Sequence, residues 1–388
     1  MIHLKRLCLL PAVLVVIPLA GCWDRVEIED RGFVVGAALD LPDEGTEENK
    51  IKLTNQFVVP SGLGAPSQAS GQKPAFANVA ASGKSLIAIE REMAAMTSRS
   101  PYLPHMKLIA VSSELAKTKL FESVMDLFIR DHEMRRGVSV VIAEENASGI
   151  LNITPENEKL PVMHIQSVMD NSFKYAGNIQ PLRIGELHEN LLGKKSYIVP
   201  KIAKKGNSIK YQGAVVFHGH KNRMAGTMNA KETKGYNFIT GETNSGTVKV
   251  ELDDQTITLE LMQVNSSMDI RAKAKSAINV SISTEVEAKV SETFATRSVR
   301  TNGRIRAIEK KAEKKMEQMM NTTIQKAQNE WKADFIGIGR NLHKHHYGLW
   351  QKVRKDWDRG DNFFAKASID AAANVTIHST GAADQTKQ

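Results

Sequence analysis

Residues 278–290 of this 388-residue chain read INVSISTEVEAKV, and this stretch decides the fold of the second half. Apolar or small side chains alternate with polar ones along the whole run. A period of two is typical of a β-strand that buries one face and exposes the other. The predicted buried face consists of Val280, Ile282, Thr284, Val286, Ala288 and Val290.

The segments on either side of this strand complete the pattern. Before it, the apolar runs 246–252 and 256–264 flank Asp253-Asp254, which is typical of a β-hairpin with its turn at the two aspartates. After it, apolar residues recur every three or four positions from 305 to 335. That spacing predicts a helix of about nine turns, with lysine and glutamate on its other face. We expect the helix to cover the sheet.

A last strand is predicted at 367–378, followed by a polar tail at 381–388. The second half is therefore predicted to be a C-terminal α+β domain, 211–380, in which long antiparallel strands are covered by one long helix.

The first half alternates strands with helices, which predicts an α/β region at 22–200 that forms one domain or two subdomains. Helices are predicted at 82–98 and 115–130, a surface loop at 60–74, and helical and loop-like structure at 155–200. The predicted strands are 33–40, 51–59, 106–111 and 138–142. Lysines 201, 204, 205 and 210 favour a solvated linker at 201–210. The class is α+β (mixed α/β), with several sheet-plus-helix domains.

The N-terminus is a targeting signal. Residues 1–22 read MIHLKRLCLLPAVLVVIPLAGC, with a positive start at Lys5 and Arg6 and an apolar run at 7–20. This run is too short to span a membrane, which favours a signal peptide at 1–21. Leu19-Ala20-Gly21-Cys22 matches the bacterial lipobox, so lipidation of Cys22 is predicted. The alternative is an ordinary secretory signal with an incidental cysteine.

Lipidation fixes the expected setting of the protein. Cys8 is removed with the signal, so the mature chain has no free thiol and no disulfide. Two acyl chains would hold the body stably on the outer face of the cell membrane. The net charge of +9 becomes +7 without Lys5 and Arg6. We expect no nucleic acid as a partner; a surface attracted to anionic lipid and an unspecialised basic surface both remain open.

The motifs that could carry chemistry are incomplete, so no catalytic residue, no metal site and no cofactor site is predicted. Gly83-Lys84-Ser85 lacks the earlier glycine of a phosphate-binding loop, because Asn78 stands there. His343, His345 and His346 form a cluster next to Arg340 and Lys344, whose charges repel a cation. A solvated basic turn is favoured over a metal site. We therefore expect a protein that is not an enzyme.

Several blocks of the sequence resemble the Ger(x)C spore germination lipoproteins. Cys22-Trp23-Asp24-Arg25 is similar to the mature N-terminus of that family, and LFIRDHEMRR at 127–136 to its arginine-bearing segment. GAVVF at 213–217, GTMN at 226–229 and ETKG at 232–235 resemble its central block. DFIGIGR at 334–340, Trp350 and Trp357 resemble its C-terminal signature.

The resemblance implies a subunit of a nutrient germinant receptor at the inner membrane of the endospore, beside two integral membrane subunits. It implies a mixed α/β fold of three domains and no catalytic residues, and it leaves open whether this subunit contacts the nutrient. The alternative is an extracytoplasmic solute-binding lipoprotein that delivers a ligand to a transporter. Such proteins usually have two similar lobes, whereas the halves of this chain differ.

Overall fold

The structure is a computed structural model that describes residues 27–42, 50–64, 73–176, 178–243, 245–274, 277–293 and 301–379. Two β-sheets with helices packed against them make up these ranges. The predicted signal peptide, Cys22 and the tail 381–388 lie outside the described residues, as does most of the predicted loop 60–74.

The first sheet has ten strands within the described ranges. Its strands are β1 Arg31–Asp40, β2 Ile51–Val58, β3 Phe76–Gly83, β4 Ser100–Tyr102, β5 Leu108–Ser112, β6 Ser139–Ala143, β7 Leu182–Arg183, β8 Tyr197–Lys205, β9 Ser208–His218 and β10 Arg223–Met228. The main order is β10-β9-β8-β6-β5-β1-β2-β3, with β4 beside β1 and β7 beside β6. The helices between them are α1 Pro60–Leu63, α2 Leu86–Met96, α3 Ser113–Ala116, α4 Leu120–Arg130, α5 Ala147–Leu151, α6 Pro161–Ala176 and α7 Ile184–Gly193.

The centre of this sheet is parallel. β1 pairs in parallel with β5, β5 with β6, and β6 with β8. Strands covered on both faces read as continuous apolar runs, and every residue of β5 and β6 is buried. One core lies under α2, α4 and α7, and a second lies under α5 and α6.

The second sheet has four described strands in the order β11-β12-β13-β14. They are β11 Thr247–Leu252, β12 Gln255–Ala274, β13 Ala277–Thr293 and β14 Ser368–Ser379. Two helices cover one face, α8 Ala230–Thr240 and α9 Asn302–Gln325, and α9 continues as a π-helical turn over Lys326–Trp331. The chain then forms α10 Ile338–His345, α11 Tyr347–Val353 and α12 Phe363–Lys366. The alternation in β13 buries every second residue, as predicted.

The α+β class is confirmed, and β11, β13, β14 and the long helix of the second half lie close to their predicted positions, whereas β12 runs ten residues beyond the predicted 256–264. β14 pairs with β13 in parallel, not antiparallel. β3 was not predicted: it begins just after the expected loop 60–74 and overlaps the first two residues of the expected helix 82–98, which begins only at Leu86. β3 is short of large apolar residues, so its sequence carries little strand signal.

The predicted linker 201–210 is wrong at the level of secondary structure. These residues form a hairpin in which β8 and β9 pair and the chain turns at Gly206. Ile202 and Ile209 are buried while the lysines point mainly outward, so a strand with one polar face was mistaken for a solvated segment. The large sheet continues through β9 and β10, beyond residue 211. The division into regions 22–200 and 211–380 stays a prediction.

Candidate functional site: a cationic cleft

A cleft of about 450 Å³ opens between the end of α7, the start of β8 and the segment 334–359. Its walls come from parts of the chain more than a hundred residues apart. Cationic side chains on its walls are Lys194, Lys195, Arg340, Arg354, Lys355 and Arg359, and rings are contributed by Phe335, Trp350, Trp357, His220 and His343.

Asp334 organises the floor of this cleft. One carboxylate oxygen accepts hydrogen bonds from the backbone amides of Gly337 (3.0 Å) and Ile338 (3.1 Å). The other accepts from the amide of Gly339 (2.5 Å) and from Nε1 of Trp357 (2.6 Å). Asp334 therefore caps the start of α10 and fixes the Trp357 ring against it. Burial raises the pKa of Asp334, and the bonds from Gly339 and Trp357 oppose that rise.

A second polar contact joins the cleft to the large sheet. Ser196, just before β8, donates from Oγ to Asp358 at 2.6 Å and accepts from the amide of Gly219 at 3.1 Å. Both Ser196 and Asp358 are buried. A buried pair of this kind is costly to separate, so the segment 334–359 is held to the edge of the sheet.

His220 and Arg359 meet at the rim, with Nη1 of Arg359 3.0 Å from Nδ1 of His220. A guanidinium can only donate, so Nδ1 accepts and the imidazole is neutral with its proton on Nε2. Burial lowers the pKa of His220, and the charge of Arg359 lowers it further. Protonation of His220 would break this contact.

The charge balance favours an anion. The six lysine and arginine side chains on the walls are exposed. Among the described residues that line the cleft, the carboxylates are Asp334 and Asp358, and both are buried and hydrogen-bonded within the protein. The cations are therefore available to an outside ligand, while the carboxylates are committed to the fold. Trp350, half-buried beside Trp357, adds an aromatic surface for an apolar group.

A neighbouring cavity of about 410 Å³ shares Lys195, Ser196, Phe335 and Arg340 with the cleft. Its lining includes Glu186, Glu189 and Glu242. Burial raises the pKa of Glu242, which accepts a hydrogen bond from the hydroxyl of Tyr236 at 3.3 Å. The second cavity therefore has a mixed lining, in which Lys195 and Arg340 face Glu186, Glu189 and Glu242.

The residues singled out from the sequence fall into different places. His343 lines the cleft, with its ring tilted against those of Tyr347 and Trp350, while His345 and His346 are exposed. No group of three metal-ligating side chains occurs in the described part of the chain. Asp253 and Asp254 form the hairpin turn with φ of 52° and 59°.

The central block, residues 226–235, stabilises the contact between α8 and α9. Asn229 and Glu232 form a reciprocal cap at the start of α8. Glu232 is only 4% exposed and pairs with Nζ of Lys326 at 2.9 Å. A Cβ on Gly235 would lie 2.4 Å from the carbonyl oxygen of Met319, so glycine allows the two helices to approach this closely. These residues are structural and lie outside the cleft.

The sequence did not predict the cleft. The sequence around Lys194 and Lys195 indicates only the end of a helix and gives no sign of a binding site. The signature 334–340 was noticed, but its function as a cap could be recognised only once Trp357 and the start of α10 were seen to meet at Asp334.

Comparison with known proteins identifies the class. The whole fold matches the crystal structure of the GerBC protein with a TM-score of 0.61 at 20% identity, over 88% of this chain and 97% of that one. Residues 24–204 match the family model for the spore germination protein N-terminal domain, and residues 212–381 match the model for spore germination B3/GerAC-like proteins, C-terminal.

The chain belongs to this spore germination family, as its sequence resemblance had implied. It is 28% identical to spore germination protein YndF of Bacillus subtilis (strain 168), over 95% of this chain and 96% of that protein. It is 27% identical to spore germination protein B3 of the same organism, over 88% of this chain and 89% of that one. Within the described ranges, no helix is long and apolar enough to cross a membrane.

Proposed function

We propose that this chain is a lipid-anchored, non-enzymatic subunit of a spore nutrient germinant receptor. Cys22 would hold it on the outer face of the membrane, and it would act through contacts with integral membrane subunits. One observation carries the proposal: the family match starts at residue 24, two residues after the cysteine that closes the lipobox. A receptor subunit tethered at this point would keep its whole folded body beside its membrane partners.

The two carboxylates in the cleft support the non-enzymatic part of the proposal, because both have structural roles. Asp334 serves as a helix cap and Asp358 as the partner of Ser196. A general acid or base must reach its substrate, whereas both groups are buried and occupied.

The two cysteines of the chain provide a matched test. Cys22→Ala should abolish germination on nutrients and leave germination by agents that bypass the receptor intact, whereas Cys8→Ala should be silent because Cys8 leaves with the signal. Mass spectrometry of the N-terminal peptide from spore membranes should find diacylglycerol on Cys22. A normal nutrient response in the Cys22→Ala or deletion strain would refute the proposal.

Co-purification tests the partner contacts directly. The lipidated protein, extracted from spore membranes in mild detergent, should bring the integral receptor subunits with it. Recovery of the protein alone, under conditions in which those subunits stay intact, would argue against a receptor complex.

A solute-binding lipoprotein remains the second candidate, and the cleft is the specific reason. Its volume falls within the range of small-ligand pockets, about 300–1,000 Å³. The two unlike sheets argue against this role. Titration calorimetry against amino acids and sugars separates the two hypotheses, because micromolar binding would favour solute delivery.

A further inference from the structure

The cleft lies at a particular edge of the large sheet. Because β1, β5, β6 and β8 run parallel, their first residues lie along one edge, which we call the entry edge: Arg31, Leu108, Ser139 and Tyr197. Lys194, Lys195 and Ser196 directly precede β8 at this edge. β9 returns antiparallel to β8 with Phe217 beside Tyr197, so the turn containing His220 lies there too.

The chain also enters the described fold at this edge. β1 begins at Arg31, nine residues after Cys22. Ile28–Asp30 form a 3-10 turn, so the part of the tether that can extend is Cys22 to Glu27, and five residues reach at most about 16 Å. β1 and β8 are separated by two strands, or about 14 Å across the sheet, and the register places Arg31 about 13 Å further out along the strand direction than Tyr197, so the two first residues are about 19 Å apart. A tether at Cys22 therefore allows the whole entry edge to approach a bilayer.

The opposite edge is much less accessible to a bilayer. The hairpin turn that follows β8 lies about 30 Å further along that strand, because each strand residue adds about 3.3 Å. That distance alone exceeds the reach of the tether between Cys22 and Glu27. Charges at this edge are also mixed, with Glu144 and Glu145 near Lys204 and Lys205.

The entry edge has the side chains of an interfacial surface. Six exposed lysines and arginines surround the cleft, and Lys221 adds another in the neighbouring turn. Exposed apolar residues accompany them: Leu192 (73% exposed) lines the cleft, Tyr347 (56%) packs beside the His343 ring, and Ile28 (62%) precedes β1. Glu29 and Asp30 also lie near β1, so the positive field centres on the cleft. Basic residues beside exposed apolar ones are typical of surfaces that lie on anionic membranes.

We infer that the entry edge is the membrane-facing surface of this protein and that its cleft holds the phosphate of anionic phospholipid headgroups. This inference rests on the lipid anchor of the proposed function. Arg340, Arg354 and Arg359 supply planar donors that match phosphate oxygens. Trp350 supplies a ring of the kind that settles at the level of lipid headgroups.

Two single-cysteine variants of the full lipidated protein test this orientation. Gly193→Cys places a thiol at the entry edge, and Asn207→Cys places one in the hairpin turn at the other end of β8; both positions are exposed. Each is labelled with a fluorophore after insertion into vesicles that carry a headgroup-attached quencher. In equimolar phosphatidylglycerol and phosphatidylcholine, the label at 193 should be strongly quenched and the label at 207 weakly.

Phosphatidylcholine alone or high salt should remove most of the difference between the two labels, because both weaken attraction to the surface. Equal quenching at 193 and 207, or stronger quenching at 207, would overturn the inference.

Two matched lysine pairs test the contribution of charge. Lys194→Gln with Lys195→Gln should reduce the ratio of docked to undocked protein about 25-fold, since each cation near an anionic surface changes that ratio about five-fold. Lys204→Gln with Lys205→Gln removes the same charge at the far end of β8 and should change little. Because Lys194 has a left-handed backbone with φ of 47°, Arg354→Gln, directly after α11, gives a second, independent variant that should change the ratio about five-fold.

Equal effects of the two lysine pairs, with thermal unfolding unchanged, would refute the inference. Acylation of Cys22 is read separately by mass spectrometry on the same samples. A protein that is acylated but not oriented refutes this inference alone, whereas an unacylated chain refutes the proposed anchor.

Discussion

Three glutamates of α9 cover the free edge of the second sheet, and removing them should open that edge. Oε1 of Glu309, Glu313 and Glu317 accepts hydrogen bonds from the backbone amides of Ile377 (2.9 Å), Val375 (3.2 Å) and Ala373 (3.2 Å). Among the described strands, β14 is the last of its sheet, so these amides face no described strand. Four helical residues rise about 6 Å and two strand residues about 6.6 Å, so the two spacings match.

The size of the effect follows from these contacts. A hydrogen bond to a charged acceptor contributes about 1.5–3 kcal/mol, and the partial exposure of the three glutamates favours the lower end. Changing all three to alanine should therefore cost about 4–5 kcal/mol. Glutamine keeps the acceptor oxygen without the charge, so the triple glutamine variant should lose about half as much.

Hydrogen exchange of the peptide 368–379 measures this loss of stability in β14 itself. Each uncapped amide should exchange about ten-fold faster, since about 1.4 kcal/mol corresponds to a factor of ten. The interior strand β12 provides a reference peptide that should change less. An open edge strand also pairs with other chains, so light scattering should detect oligomers of the triple alanine variant.

The matched control lies one residue further along the same helix. Lys310, Lys314 and Gln318 have the same spacing but face solvent, and their triple alanine variant should keep wild-type exchange. Unchanged protection in the glutamate variant, or the same loss in the control, would show that the carboxylates do not hold β14.

Three further outcomes follow from the site and its supports. Gly235→Ala should destabilise the fold by about 2 kcal/mol in thermal unfolding, because its Cβ would collide with α9, whereas Gly303→Ala, with open space around it, should be near neutral. Asp334→Asn should cost about 3 kcal/mol and alter the near-ultraviolet signal of Trp357, because an amide cannot accept from all four donors; an unchanged spectrum would contradict the cap. Since the pKa of His220 is lowered from 6.5, the unfolded chain binds more protons near that pH, and the free energy of unfolding should fall as pH drops through it. His220→Gln should flatten this dependence in urea titrations between about pH 7.5 and 5.5, and an identical slope would exclude His220 as its source.

Sequence reasoning worked where one physical signal dominated. The alternation in 278–290 predicted β13 because one face of that strand is buried and the other is exposed. It failed at β3, an edge strand of small residues, and at 201–210, where outward lysines hid the buried Ile202 and Ile209. It placed lysine and glutamate together on the polar face of α9 and did not separate Glu309, Glu313 and Glu317, since nothing local reveals that these three face an edge strand.

The cleft could not have been predicted for a different reason. Lys195, His220 and Arg359 are far apart in the chain, and only the pairing of β8 with β9 and the Ser196–Asp358 hydrogen bond bring them together. Local patterns encode elements, whereas a site built from three distant segments depends on how those elements assemble.

The two walls of the cleft come from different parts of the fold. One wall, Lys194 to Ser196, directly precedes β8 of the large sheet. The other wall is the segment 334–359, which follows α9. The second wall is rigid, because Asp334 fixes both the start of α10 and Trp357. A ligand in the cleft therefore contacts both walls at once. Any change in the relative position of the walls changes the affinity of the cleft for that ligand. In the orientation inferred above, a protein that moved one wall relative to the other would change the binding of phospholipid in the cleft, and by the reciprocity of coupled equilibria the phospholipid would change the affinity for that protein.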